Sequence, residues 1–204
     1  QCIQEELESG KLIGISLKKM QSGASLSAKN VFGDMKFNKD YAGYEYSGKS
    51  IDGYVKLSGG TKIQFRSFGA GLGLTGFQGE VKGANANQGK IGLGPTNMIL
   101  RSHGAPEIPT NAASRVKTDP MSVFDEIAVG LKKYARLTQK QIEEVRESEK
   151  INTPKFLYSK LQVTQLLNIL ESITNRDKRN QLVEDLYLYA SSQSRFSSAY
   201  YKLE

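Results

Sequence analysis

One cysteine, Cys2, and one histidine, His103, are all that this chain offers of the side chains on which soft-metal sites and nucleophilic triads depend. A lone cysteine forms no internal disulfide, so the fold does not rest on oxidation and a reducing compartment fits it. A multi-cysteine zinc or iron-sulfur centre is excluded as well. A Ser-His-Asp site would have to recruit His103, whose neighbours Ser102-His103-Gly104-Ala105-Pro106 read as a loop, and a surface histidine is the expected role. No apolar run approaches the ~20 residues of a membrane span. The start lacks the charged and apolar regions of a secretory signal, so a soluble chain without a membrane partner is expected. It begins at Gln1, for which trimming, proteolysis or upstream residues are the expected cause. No Walker A string occurs.

Basic residues are what the chain has in excess: 28 Lys and Arg against 21 Asp and Glu, a formal net charge of +7. That balance favours polyanionic partners such as nucleic acid. Its 204 residues suffice for one sizeable domain or two small ones. The first 120 residues are the more cationic, with 15 basic against 10 acidic side chains.

Residues 4–9 read as a helix end stopped by Gly10, and 11–19 as a strand built on Leu12, Ile13, Ile15 and Leu17. Small polar residues over 21–30 read as a loop. Between 49 and 94 the glycines crowd and apolar residues come in short bursts: 51–57, 62–68, 77–81 and 90–93. That is the pattern of three or four strands with glycine-rich turns. Residues 101–119, with Pro106 and Pro109, read as a linker or long surface loop. After Pro120 the period becomes helical. Val123, Ile127, Leu131 and Tyr134 follow Asp119-Pro120, Thr138 and Gln141 form a capping box, Thr153-Pro154 starts a leucine-rich helix, and Asn175 or Asp177 opens the last. The serine-rich 191–198 is expected to be irregular. The fold class expected is α+β: a mixed, glycine-rich sheet domain over 1–100, a linker over 101–119 and a helical subdomain over 120–204.

Across 46–106 only two acids occur, Asp52 and Glu80, among Lys49, Lys56, Lys62, Arg66, Lys82, Lys90 and Arg101. Glu80 and Lys82 stand two apart on the expected strand and so share one face. Two isolated carboxylates in a basic field suit a divalent metal facing a phosphodiester.

Asp52 followed by Glu80-Val81-Lys82 resembles the signature of the PD-(D/E)xK nuclease superfamily over residues 10–94. The resemblance implies a restriction-endonuclease-like fold in which Asp52 and Glu80 hold Mg²⁺ and Lys82 orients or polarises the attacking water. Asp52 lies in Ser50-Ile51-Asp52-Gly53, without the proline that usually precedes that acid. A second candidate is Ser16-x-Lys18, like the superfamily variant with a small polar residue in place of the acid, and Lys18 is carried as a further catalytic candidate. The alternative for Glu80 and Lys82 is an ordinary surface pair worth roughly 0–1 kcal/mol.

The strings GISLKK at 14–19, FQGEVKGANANQGKIG at 77–92 and LYLYASSQSRFSSAYYKL at 186–203 resemble proteins of large tailed bacteriophages. That implies a virus-encoded nuclease, or a non-enzymatic virion or nucleic-acid-binding protein, in host cytoplasm or virion. Self-association or other virion subunits would then be its protein partners.

Lys90, Arg66, Gln78 and Asn85 are candidate nucleic-acid contacts, DNA being favoured over RNA: Asn85 and Lys90, in the run after the active strand, suit phosphate, Gln78 is an accessory residue of that strand, and Arg66 with Phe68 could stack on bases. Gly71-x-Gly73-x-x-Gly76 matches a dinucleotide string, but Phe77-Gln78-Gly79-Glu80-Val81 has no helical period, and the reading is rejected. Tyr41, Tyr44 and Tyr46 serve as core packing in preference to base stacking. Lys132, Lys133, Arg136 and Lys140 make a cationic helix face, with a solvated surface as its default role.

Overall fold

The computed structural model describes residues 14–16, 26–29, 39–67, 76–83, 89–148, 153–191 and 200–203. Two short strands come first, β1 (Gly14–Ser16) and β2 (Leu26–Lys29), and both pair with the last, β8 (Tyr200–Leu203). β8 runs parallel to β1 and antiparallel to β2. The larger sheet is an antiparallel meander of β3 (Tyr41–Tyr46), β4 (Gly53–Leu57), β5 (Lys62–Ser67), β6 (Phe77–Lys82) and β7 (Lys90–Gly92), paired in chain order. The protein is thus α+β, and parallel pairing is confined to the small sheet among the described residues.

Alternation fixes the two faces of the meander. Val55, Leu57, Ile63, Phe65, Phe77, Val81 and Ile91 turn inward and are almost wholly buried. Gly79 belongs to that inner row. A Cβ there would stand 2.7 Å from the Phe65 ring, so glycine is what lets Phe65 and Phe77 stack with centroids 5.9 Å apart.

Among the described residues six α-helices follow: α1 (Leu93–Ser102), α2 (Ala112–Thr118), α3 (Pro120–Tyr134), α4 (Gln139–Glu147), α5 (Pro154–Ser172) and α6 (Arg176–Ala190). Their starts follow the cap chemistry. Asp119 accepts from the Ser122 amide, Thr138 and Gln141 complete a reciprocal capping box, and Thr153 and Asn175 cap α5 and α6. Helix α5 is buried on 14 of its 19 residues, which makes it the central helix instead of an amphipathic surface one. It packs on β5 and is flanked by α2 and α3, while α6 packs on β3, β6 and β7. One apolar cluster runs from Val55 to Ala190, so sheet and helices share a core.

The interval 101–119 is not a linker. It holds the end of α1 and all of α2, and Ile108 in its middle is fully buried. The Asn97 side chain donates to the Ile108 carbonyl at 2.8 Å and accepts from its amide at 2.9 Å, replacing the backbone partners a loop lacks. Expectations for 4–10, for most of the strand at 11–19 and for 192–198 fall outside the described residues. Among the described residues no helix is long and apolar enough to cross a membrane.

Candidate nucleic-acid interface

The outer face of the meander carries Tyr54 and Lys56 on β4, Lys62, Gln64 and Arg66 on β5, Gln78, Glu80 and Lys82 on β6, and Lys90 on β7. Strand register sorts them into rungs. Tyr54, Gln64, Glu80 and Lys90 lie side by side, flanked by a rung of Lys56, Lys62 and Lys82 and by one of Arg66 and Gln78. Asp52, the residue before β4, extends the last rung: its Oδ1 lies 3.6 Å from Arg66 Nε.

Asp52 and Glu80 therefore project from the same side of the sheet, a consequence of the register. They do not meet there. β5 lies between their strands and they occupy adjacent rungs, a backbone separation of about 12 Å from ordinary sheet spacings. Glu80 pairs with Lys82 at 2.8 Å, and Asp52 turns to Arg66 and accepts from Ser50 Oγ at 3.2 Å. Lys62 pairs with Glu45 at 3.1 Å and lies over the Tyr54 ring. Among the described residues no three acidic, histidine or cysteine side chains gather at one point.

Two oxygens on these rungs, Gln64 Oε1 and Gln78 Oε1, are buried without a hydrogen-bond donor, and Asp52 Oδ1 is buried with only its ion pair to Arg66 at 3.6 Å. Buried acceptors left unmatched are costly, at about 1–3 kcal/mol each. Lys90 is exposed opposite Glu80. Lys18 and Asn85 lie outside the described residues, and Ser16 belongs to β1.

A side chain that the sequence reading missed stands behind Asp52. Lys160 on α5 is fully buried, donates to the Asp52 carbonyl at 3.0 Å and lies 3.8 Å from the Tyr46 ring centre. Burial pulls its ammonium down to about 7, a shift that the Asp52 carboxylate partly resists. Burial also pushes the Tyr46 phenol up, against the opposing effect of its 2.7 Å hydrogen bond with Thr164. Next to Lys160, Ser159 donates to the Ile51 carbonyl and accepts from the Ser67 amide. A polar stripe on α5 thus supplies the backbone of the β3–β4 connection.

His103 is not the surface histidine expected. Its ring is 14% exposed, and Nε2 lies 2.7 Å from Asp185 Oδ2, joining the end of α1 to α6 beside a cleft of about 390 Å³. Tyr44 and Tyr46 pack edge-on against Tyr134, in the core role assigned to them.

No family model matches the chain, and neither a curated protein nor a solved structure matches it.

Proposed function

We propose that the outer face of the five-stranded sheet binds nucleic acid, DNA before RNA, as the contact surface of a non-enzymatic binding protein. One observation carries the reading: register places Lys56, Lys62, Arg66, Lys82 and Lys90 on this one face, in three adjacent rungs. Lysine and arginine suit phosphate oxygens, and the sequence-independent part of the affinity would come from them. Tyr54 adds a ring in the middle rung. Fluorescence anisotropy with labelled oligonucleotides tests this: replacing Lys62, Arg66 and Lys82 together by glutamine should weaken binding about tenfold or more. Unchanged affinity would refute it. In a phage virion the same face would meet packaged genome, and gel filtration would then report self-association.

A second reading, Mg²⁺-dependent phosphodiester hydrolysis, is favoured by Asp52, Glu80 and Lys82 sharing that face. With Arg66 and Lys82 in their present places the two carboxylates do not form a shared ion site, so hydrolysis requires both pairs to open. Cleavage of DNA or RNA that needs Mg²⁺ and disappears in both Glu80→Ala and Lys82→Ala would establish it over simple binding.

A further inference from the structure

On the sheet face each of Lys62, Arg66 and Lys82 is matched to an acid of the same sheet or of the residue preceding it. A second group of cations, in an acid-free stretch of the chain, lies elsewhere. Lys132 and Lys133 end α3, Arg136 sits in the turn after it and Lys140 opens α4. No acid occurs between Ile127 and Ile142. All four side chains are exposed, and none has an ion-pair partner among the described residues. The ammonium of Lys133 lies 4.9 Å from the Tyr134 ring centre, which leaves its charge in place.

A fifth cation joins them through the fold. The Ser47-Gly48-Lys49 turn between β3 and β4 packs on the turn between α3 and α4, so tightly that a Cβ on Gly48 would stand 2.7 Å from Leu137. Between the two turns lies a cleft of about 420 Å³, lined by Lys49, Ala135, Leu137 and Gln141, with Glu144 its one acid among the described residues. The same connection reaches Asp52 three residues beyond Lys49, so this corner adjoins the sheet face. Two features separate it from an ordinary solvated face. Lys140 occupies the first turn of α4, where no acid balances it and where a cation opposes the helix dipole. Arg136 has φ +54°, a left-handed conformation that costs a side chain about 1–2 kcal/mol.

The geometry points to a phosphate-gripping corner: we infer that Lys49, Lys132, Lys133, Arg136 and Lys140 hold the backbone of a nucleic acid whose bases or reacting phosphate meet the sheet face. This rests on the reading of the chain as a nucleic-acid binder and says where the charge-driven part of the affinity resides. An anionic membrane is the poorer partner. The apolar residues of α3 at 123, 127, 131 and 134 are buried, and its exposed Met121 and Val129 are two turns apart with Asp125 between them.

The test uses the 204-residue chain, a labelled DNA duplex and single strand of about 30 nucleotides, and phosphatidylcholine vesicles containing about one-third phosphatidylserine, over a salt series from about 50 to 200 mM. Replacing Lys132, Lys133, Arg136 and Lys140 by glutamine should weaken duplex binding about tenfold or more and lower the slope of log affinity against log salt by about three to four. Replacing the three lysines by arginine should restore both. Circular dichroism checks folding, and Lys132→Glu and Lys140→Glu as single changes should each give a partial loss if the fourfold variant does not fold. Retained affinity in the fourfold variant, with loss in the sheet-face variant, overturns the corner and leaves the sheet-face reading intact. Binding to vesicles but to neither oligonucleotide overturns both, as does no binding at all.

Discussion

Lys160 Nζ donates to the backbone carbonyl of Asp52 at 3.0 Å while lying 3.8 Å from the centre of the Tyr46 ring, so one buried ammonium anchors the central helix to the edge of the candidate interface. Its pKa, lowered to about 7 by burial, makes stability depend on pH. Between pH 7 and 10 the unfolded chain holds a proton at this position that the folded chain has given up, so stability rises with pH across that window. Below pH 7 both states are protonated and the full burial penalty is felt. Tyr41 and Tyr46, both raised, oppose the trend only above about pH 10. The rise should total about 4 kcal/mol. Lys160→Met should flatten the profile and raise stability at pH 6, whereas a wild-type profile already flat in urea unfolding from pH 6 to 10 would dispose of the assignment.

Gly53 shows how closely α5 approaches the sheet. A Cβ at this residue would stand 2.2 Å from Val163 Cγ1. Gly53→Ala should therefore cost about 2–3 kcal/mol, and Val163→Ala in the same chain should recover most of that loss. Thermal unfolding of the two single variants and the double reads the coupling. Additive losses would mean that the contact is not the cause.

Gln162 is fully buried on α5, and both polar atoms of its side chain lack hydrogen-bond partners. An apolar side chain of similar length removes that penalty. Gln162→Met should stabilise the protein by about 1–2 kcal/mol in denaturant titrations. A clear loss of stability would show that the amide is satisfied in solution.

Arg136 separates stability from binding. Glycine tolerates its φ of +54°, so Arg136→Gly should gain about 0.5–1 kcal/mol after the entropy cost of glycine is subtracted. The same change should reduce the salt slope of duplex binding by about one. Opposite movement of the melting temperature would contradict the strain argument.

Alternation and cap chemistry made β4 to β7 and α3 to α6 readable, because each element carries its own local signal: inward Val55, Ile63, Phe65 and Val81, and caps at Asp119, Thr138, Thr153 and Asn175. Strand β3 was hidden by glycine and polar residues, and its tyrosines become core only through Tyr134, some ninety residues on. Helix α2 is a short run of small residues, recognisable by the burial of Ala112 and Val116 and not by pattern. For the site, the i, i+2 spacing of Glu80 and Lys82 puts them on one face, as the sequence suggests, while Asp52 joins them only through the register of β4 and β5. Spacing did not reveal Lys160 or the His103–Asp185 pair, since both depend on packing between elements far apart in the chain. Nor did it reveal that Arg66 and Lys82 pair with the acids, because register decides that and the turns set the register.

Synthesis order gives the α5 stripe a further meaning. Ile51 and Asp52 receive their donors from Ser159 and Lys160, residues that leave the ribosome 108 positions later. At ordinary translation rates that is an interval of roughly 5–20 s. During it the meander is a nascent sheet with an oily inner side and no lid, the kind of surface that chaperones shield. A chain stopped short of Thr153 should consequently be made as an aggregate, however regular its hairpins.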